Sequence, residues 1–219
     1  MAVIKNIAPS EIENQSFAII EREFLDQTGI DPSDVEPAKF QIIRRVIHAT
    51  GDFGFARSLI FHENSIDTAL SAIKAGRDIY IDVSMGASGI SKSILNGFGG
   101  TVRCYINDSD VADRARQEGK TKTETALEKL SSTDAGIVAV GNAPTALIAA
   151  MKLIDAGKLN PGLVIGIPVG FVNAAESKEL LSTKTYPFIT NKGRKGGSPV
   201  AVAIVNALLR LAQQQYDHD

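Results

Sequence analysis

The stretch from Gly136 to Lys178, GIVAVGNAPTALIAAMKLIDAGKLNPGLVIGIPVGFVNAAESK, decides the fold. Gly136 to Val140 is a short apolar run rich in β-branched residues, which reads as a buried strand. Gly141-Asn142 breaks it. Asn142 is placed to cap a helix, and Pro144 suits a first helical turn, where its missing N–H has no intrahelical partner to lose. Ala146 to Ile154 is apolar nearly all round, as expected of a helix packed on a sheet, and Gly157 closes it. Leu163 to Ile167 repeats the strand, and Pro168-Val169-Gly170 repeats the break. Two strand-to-helix turns in succession set two helix N-termini at the carboxyl ends of parallel strands, the edge where open α/β sheets bind ligands.

Around this unit the chain alternates. Upstream, the pattern predicts helices over 8–25, 34–49 and 64–75. Ser10 and Glu13 have capping-box spacing in the first; Pro37 and Gly51 bracket the second. Strands are predicted over 78–83, 101–106 and 186–190, with the Gly- and Ser-rich turn SMGASGIS (84–91) after the first. Asp108 to Leu130 reads as two helices broken at Gly119, the second starting near Thr121. The basic loop NKGRKGG (191–197) leads into a last helix with Ser198 as its cap, fraying over 213–219. The expectation is an α/β protein: a three-layer α/β/α domain with a five-stranded parallel sheet, flavodoxin-like in order, over residues 77–214. A mainly helical N-terminal extension, 1–76, belongs to the same single domain, 1–219.

Composition narrows the function. The chain has 219 residues and is 44% hydrophobic, enough for a full core. A formal charge of −2 speaks against general affinity for nucleic acid or an anionic membrane surface. The single Cys104 excludes an intrachain disulfide. The N-terminus shows no signal-peptide pattern and no apolar run approaches the ~20 residues of a membrane span, so a soluble cytoplasmic protein is expected.

Three constellations stand out for chemistry. His48 lies on the polar side of its helix beside Arg44 and Arg45. The helix C-terminus favours its charged form and the arginines oppose it, a balance suited to proton exchange near neutral pH. Four strand-end loops, 86–91, 141–145, 168–173 and 192–198, combine glycines with helix starts, and the last carries Lys192, Arg194 and Lys195; together they suit an anionic ligand. Lys120 and Lys122 flank a helix start that Thr121 or Thr123 caps. The chain contains no Walker loop, no complete dinucleotide fingerprint, no Ser–His–Asp order and no H-E-x-x-H, and nothing demands a metal.

The motifs QSFAIIE (15–21), IRRVIHATGD (43–52), GNAPTAL (141–147), PVGFVNAAESK (168–178) and RKGGSPVAVAIVNAL (194–208) resemble the precorrin-8X methylmutase family of cobalamin biosynthesis. They follow family order over nearly the whole chain. The resemblance implies an isomerase that moves a methyl group between adjacent carbons flanking ring C of precorrin-8, with or without cobalt, giving hydrogenobyrinate or cobyrinate. The shift is intramolecular, so no cofactor is expected. It also implies a homodimer with a flavodoxin-like sheet and sites near the subunit interface. The family's acid is the His of VIHATG, His48 here. Motif position and polarity nominate Ser16, Arg45, Ser91, Lys122, Asn142 and Lys178 as contacts to a carboxylate-rich tetrapyrrole; Lys122 stands where some relatives have Arg. The alternatives are a tetrapyrrole carrier and a flavin- or nucleotide-binding α/β domain.

Overall fold

The computed structural model describes residues 7–216. In chain order the regular elements are α1 (Ile12–Thr28), α2 (Pro37–Thr50), α3 (Phe55–Ser58), β1 (Leu59–Phe61), α4 (Ser65–Lys74), β2 (Asp78–Ile81), α5 (Ser84–Gly89), α6 (Lys92–Gly97), β3 (Val102–Arg103), α7 (Ser109–Glu118), α8 (Lys122–Glu128), β4 (Ala135–Val140), α9 (Pro144–Asp155), β5 (Leu163–Gly166), α10 (Ala174–Ser182), β6 (Phe188–Asn191) and α11 (Ser198–Tyr216).

The sheet has six strands, ordered β1-β6-β5-β4-β2-β3. It is mixed, which corrects the expectation of five parallel strands. β2 to β6 pair in parallel, but β1 runs antiparallel to β6, with Ile60 opposite Thr190. β1 spans three residues, too few to show a period of two, and it is defined by its partner far along the chain. β3 also shrinks from the expected 101–106 to Val102–Arg103, because only Ile79 and Tyr80 of β2 pair with it.

Alternation along each strand sends side chains to two cores. Ile79, Ile81, Ile137, Ala139, Leu163 and Ile165 face α2, α4 and α11. Tyr80, Val138, Val140, Val164 and Phe188 face α8, α9 and α10. A third small cluster, Ile20, Phe24, Ile43 and Ile47, fastens α1 to α2. α11 is the central helix of its face, carrying Val200, Ile204, Val205, Leu208 and Leu209 into the core.

Several local expectations are replaced by non-local contacts. The Ser10–Glu13 box does not form; Pro9–Glu11 is a 3-10 turn and α1 starts at Ile12. Ala143, not Asn142, is the N-cap residue of α9, and it makes no side-chain cap. Asp82, just past β2, does that work instead: its carboxylate accepts the N–H groups of Gly141, Asn142 and Ala143 at 3.1, 2.8 and 2.9 Å. The turn 84–91 contains α5, and Ser198 is the first residue of α11 rather than a cap before it. The Thr121 cap forms as expected, accepting from the Glu124 N–H at 3.2 Å. Because β2, β4, β5 and β6 are parallel, the loops that follow them share one edge of the sheet. Strand order reverses between β2 and β4, so Asp82 and the 141–143 turn sit at the switch point.

Among the described residues no helix is long and apolar enough to cross a membrane, and no group of three or more His, Cys, Asp or Glu could hold a metal ion.

Candidate active site

His48 lies in the last turn of α2, three and four residues beyond Arg45 and Arg44, so the three share one helix face. The imidazole is exposed. It opens onto a hollow of about 270 Å³ lined by Arg45, His48, Pro199, Val202, Ala203 and Asn206, between α2 and the first half of α11. Phe17 of α1 supports this corner. Its ring meets His48 edge-on at 5.2 Å, and the guanidinium carbons of Arg44 and Arg45 lie 4.3 and 5.1 Å from its centre. The imidazole is thus held by an aromatic edge in a cleft that Arg45 also lines.

Arg45 is not free. Its Nη1 donates to Glu13 Oε1 at 3.0 Å, and Arg210 reaches the other oxygen at 3.6 Å. Burial pushes the Glu13 carboxyl up, but Arg45, helped by Arg210 and His48, outweighs this and holds it below its ordinary value.

Ser91, the N-cap residue of α6, is drawn to the same cleft through its backbone. Its N–H donates to Asn206 Oδ1 at 2.8 Å, while Asn206 Nδ2 donates to the Gly89 carbonyl at 2.9 Å. The approach is close: a Cβ at Gly89 would lie 3.0 Å from Val202 Cγ1 of α11. Asn206 was not among the residues expected from sequence. Its signal was there, as a single amide inside the apolar run VAVAIVNALLRLA.

The other nominated residues fall elsewhere. Ser16 sits on α1 next to Phe17, its hydroxyl donating to the Ile12 carbonyl at 2.8 Å. Asn142 is exposed at the switch point, held by its N–H to Asp82. Lys122 is exposed at the start of α8, where the hydroxyls of Thr121 and Thr123 meet Thr145 of α9 at 2.9 and 3.3 Å. Lys178 lines a separate hollow of about 290 Å³ with Ile60, Glu179, Ser182, Asn191 and Lys192. It is only 1% exposed. Its Nζ donates to the Lys195 carbonyl at 2.6 Å and to Asn191 Oδ1 at 3.2 Å. Burial lowers its ammonium to about 8. Lys195 in turn pairs with Asp52 at 2.6 Å, fastening the 191–197 loop to the chain just past α2. Asp82 was also missed. It is fully buried, and burial pushes its carboxyl up against the pull of its three N–H donors.

The strand-end loop 168–173 exposes Phe171 and Val172 by 84% and 78%, with Arg194 above the Phe171 ring at 5.5 Å. Asn173 ends it with φ of 60°, left-handed backbone that Asn tolerates better than most residues.

Residues 11–211 match the model of the family described as precorrin-8X methylmutase. The chain belongs to the precorrin-8X methylmutase family. It is therefore a methylmutase, an isomerase of cobalamin biosynthesis. It is 43% identical over 207 residues to the cobalt-precorrin-8 methylmutase of Priestia megaterium, covering 94% of this chain and 89% of that one. To the precorrin-8X methylmutase of Pseudomonas aeruginosa it is 40% identical over 200 residues, covering 90% and 93%. The crystal structure of the Thermus thermophilus precorrin-8X methylmutase superposes with a TM-score of 0.81 at 36% identity, covering 94% of this chain and 98% of that one. The methylmutase family thus accounts for the sequence motifs and the fold together.

Proposed function

We propose that this methylmutase shifts a methyl group between adjacent ring carbons of precorrin-8, metal-free or cobalt-bound, with His48 as general acid. The observation that carries this reading is the exposed imidazole of His48 in a cleft shared with Arg45. Rearrangement within one molecule needs no acceptor or donor: one C–C bond breaks and an adjacent one forms. Protonation of a ring nitrogen by His48 draws electron density toward that atom and eases the migration; the proton returns when the product is hydrogenobyrinate or cobyrinate. A rigid ring held by its rim is already close to reactive geometry, so positioning supplies part of the rate.

Ser16, Arg45, Ser91, Lys122, Asn142 and Lys178 are proposed as contacts to the carboxylate arms, with backbone N–H groups of the strand-end turns. The single domain, its cytoplasmic location and the homodimer stay with this reading. The order β3-β2-β4-β5-β6 supports a flavodoxin-like parallel part, and exposed Met85, Phe171 and Val172 supply apolar area for a partner subunit to cover.

The test is turnover. Purified His48→Asn protein should bind hydrogenobyrinate with near-normal affinity and lose at least about a hundredfold in kcat, the usual scale of general acid catalysis. A variant that turns over at the wild-type rate ends the His48 assignment. Binding without turnover by the wild-type protein would favour a carrier.

A further inference from the structure

A second hollow, of about 200 Å³, opens beside the His48 cleft between α1, α2 and α11. Glu13, Phe17, Arg44, Arg45 and Arg210 line it, and Arg45 lines both hollows. Three guanidiniums therefore face a space that contains one carboxylate. Arg44 is drawn to Glu21 on α1. The other two converge on Glu13, Arg45 on Oε1 at 3.0 Å and Arg210 on Oε2 at 3.6 Å, one guanidinium to each oxygen. This is how a bound carboxylate is gripped by two arginines.

The two sides of the grip differ in freedom. The Arg45 side chain is 15% exposed and pinned against Phe17, whereas Glu13 is 38% exposed in the first turn of α1. Within the Arg45–Glu13 pair the cation is the more fixed partner, and Arg210, half exposed, is free to follow whichever carboxylate Arg45 holds. Leaving Arg45 unpaired would be costly, since a largely buried charge without a partner is strongly destabilising. Replacing one carboxylate by another avoids that cost.

We infer that Arg45 and Arg210 form a carboxylate subsite next to His48, which Glu13 fills in the free protein and vacates when a carboxylate of the ligand enters. This rests on the reading of the cleft as a tetrapyrrole site, and it identifies what Arg45 does there. Glu13 acts as an internal competitor that keeps the guanidinium oriented and moderates affinity. The exchange leaves the local charge unchanged. It is blind to the metal at the ring centre, because it reads only the rim.

The experiment is an absorbance titration of the full-length protein with hydrogenobyrinate, with thermal unfolding as a control. Glu13→Gln should bind about tenfold more tightly and Arg210→Met about tenfold more weakly, the scale of one charge-assisted hydrogen bond. Both effects should vanish with a ligand whose carboxylates are all amidated. Equal affinities for wild type and both variants, or weaker binding by Glu13→Gln at unchanged thermal stability, overturn the subsite. Where Glu13→Gln loses both binding and thermal stability, Arg210→Met decides: weaker binding at unchanged stability upholds the subsite, and unchanged binding overturns it. If wild type does not bind hydrogenobyrinate at all, the tetrapyrrole reading itself fails and the subsite fails with it.

Discussion

Asn206 and Ser91 are joined side chain to backbone across 115 positions of the chain, at 2.8 Å. The same amide group holds the Gly89 carbonyl at 2.9 Å. One side chain of α11 thus satisfies a donor and an acceptor of the α5–α6 connection, at the wall of the hollow that His48 opens onto. Replacing it with Leu, close in size, removes both bonds and strands the Ser91 N–H. Asn206→Leu should lose about 2 kcal/mol of stability in thermal or urea unfolding. Its KM should rise more than that of a core variant of equal stability, because Ser91 would no longer be held at the cleft. Asn206→Asp keeps the acceptor but sets a carboxylate against the Gly89 carbonyl, so it should fall between the two.

Lys178 makes stability depend on pH in a defined direction. Its folded-state value of about 8 lies below the ordinary lysine value of 10.5. Between these values the unfolded chain holds more protons than the folded one, so stability rises with pH through that window, by at most about 1.4 kcal/mol per pH unit. Below about pH 8 the cost of the buried ammonium is present in full. Lys178→Met should flatten this rise between pH 8 and 10 when the two proteins are unfolded in parallel. Identical pH profiles would contradict the assignment. The Lys195 carbonyl would keep a donor in the variant, from Asn191 Nδ2 at 2.9 Å.

Asp82 accepts three backbone N–H groups on two oxygens. Asn at this position offers one oxygen and turns an N–H₂ toward donors. Asp82→Asn should therefore cost about 3 kcal/mol, as two donors lose their partner and the start of α9 loses a negative charge. Denaturant unfolding measures this directly. Amide exchange at Gly141 to Ala143 should accelerate more than in the rest of β4.

Gly141 marks a close approach of two backbones. A Cβ there would lie 2.7 Å from Ser198 Cα and 2.9 Å from Ser198 N, at the first residue of α11. Neither atom belongs to a side chain that can swing away. Gly141→Ala should destabilise by about 1–3 kcal/mol through overpacking, whereas Gly51→Ala, with open space around its Cβ, should cost only the strain of its φ of 67°. A melting comparison of the two variants separates crowding from conformational strain.

The parts legible in the sequence are those with local causes. Pro37 and Gly51 bracket α2 because each acts on its own backbone, and Thr121 caps α8 from three residues away. Buried strands β4 and β5 announce themselves by continuous apolar runs. His48 stood out because a histidine on the polar face of a helix has no packing reason to be there. What could not be read was set by distant partners. β1 exists only through β6. The cap of α9 comes from Asp82 on another strand, leaving Asn142 without that role. Arg45 reads as a free cation until α1 is seen to bring Glu13 against it.

α11 packs after all six strands in chain order, yet it supplies Pro199, Val202, Ala203 and Asn206 to the wall facing His48, and Arg210 to the neighbouring hollow. During synthesis the nascent chain would expose α2 with its histidine, and most of the sheet, long before α11 leaves the ribosome. Until then Ile42 and Val46 of α2 lack the apolar partner they share with α11. Competence to bind and competence to finish folding therefore arrive in one step. A chain arrested before residue 198 would be both inactive and conspicuous to the machinery that clears unfinished proteins.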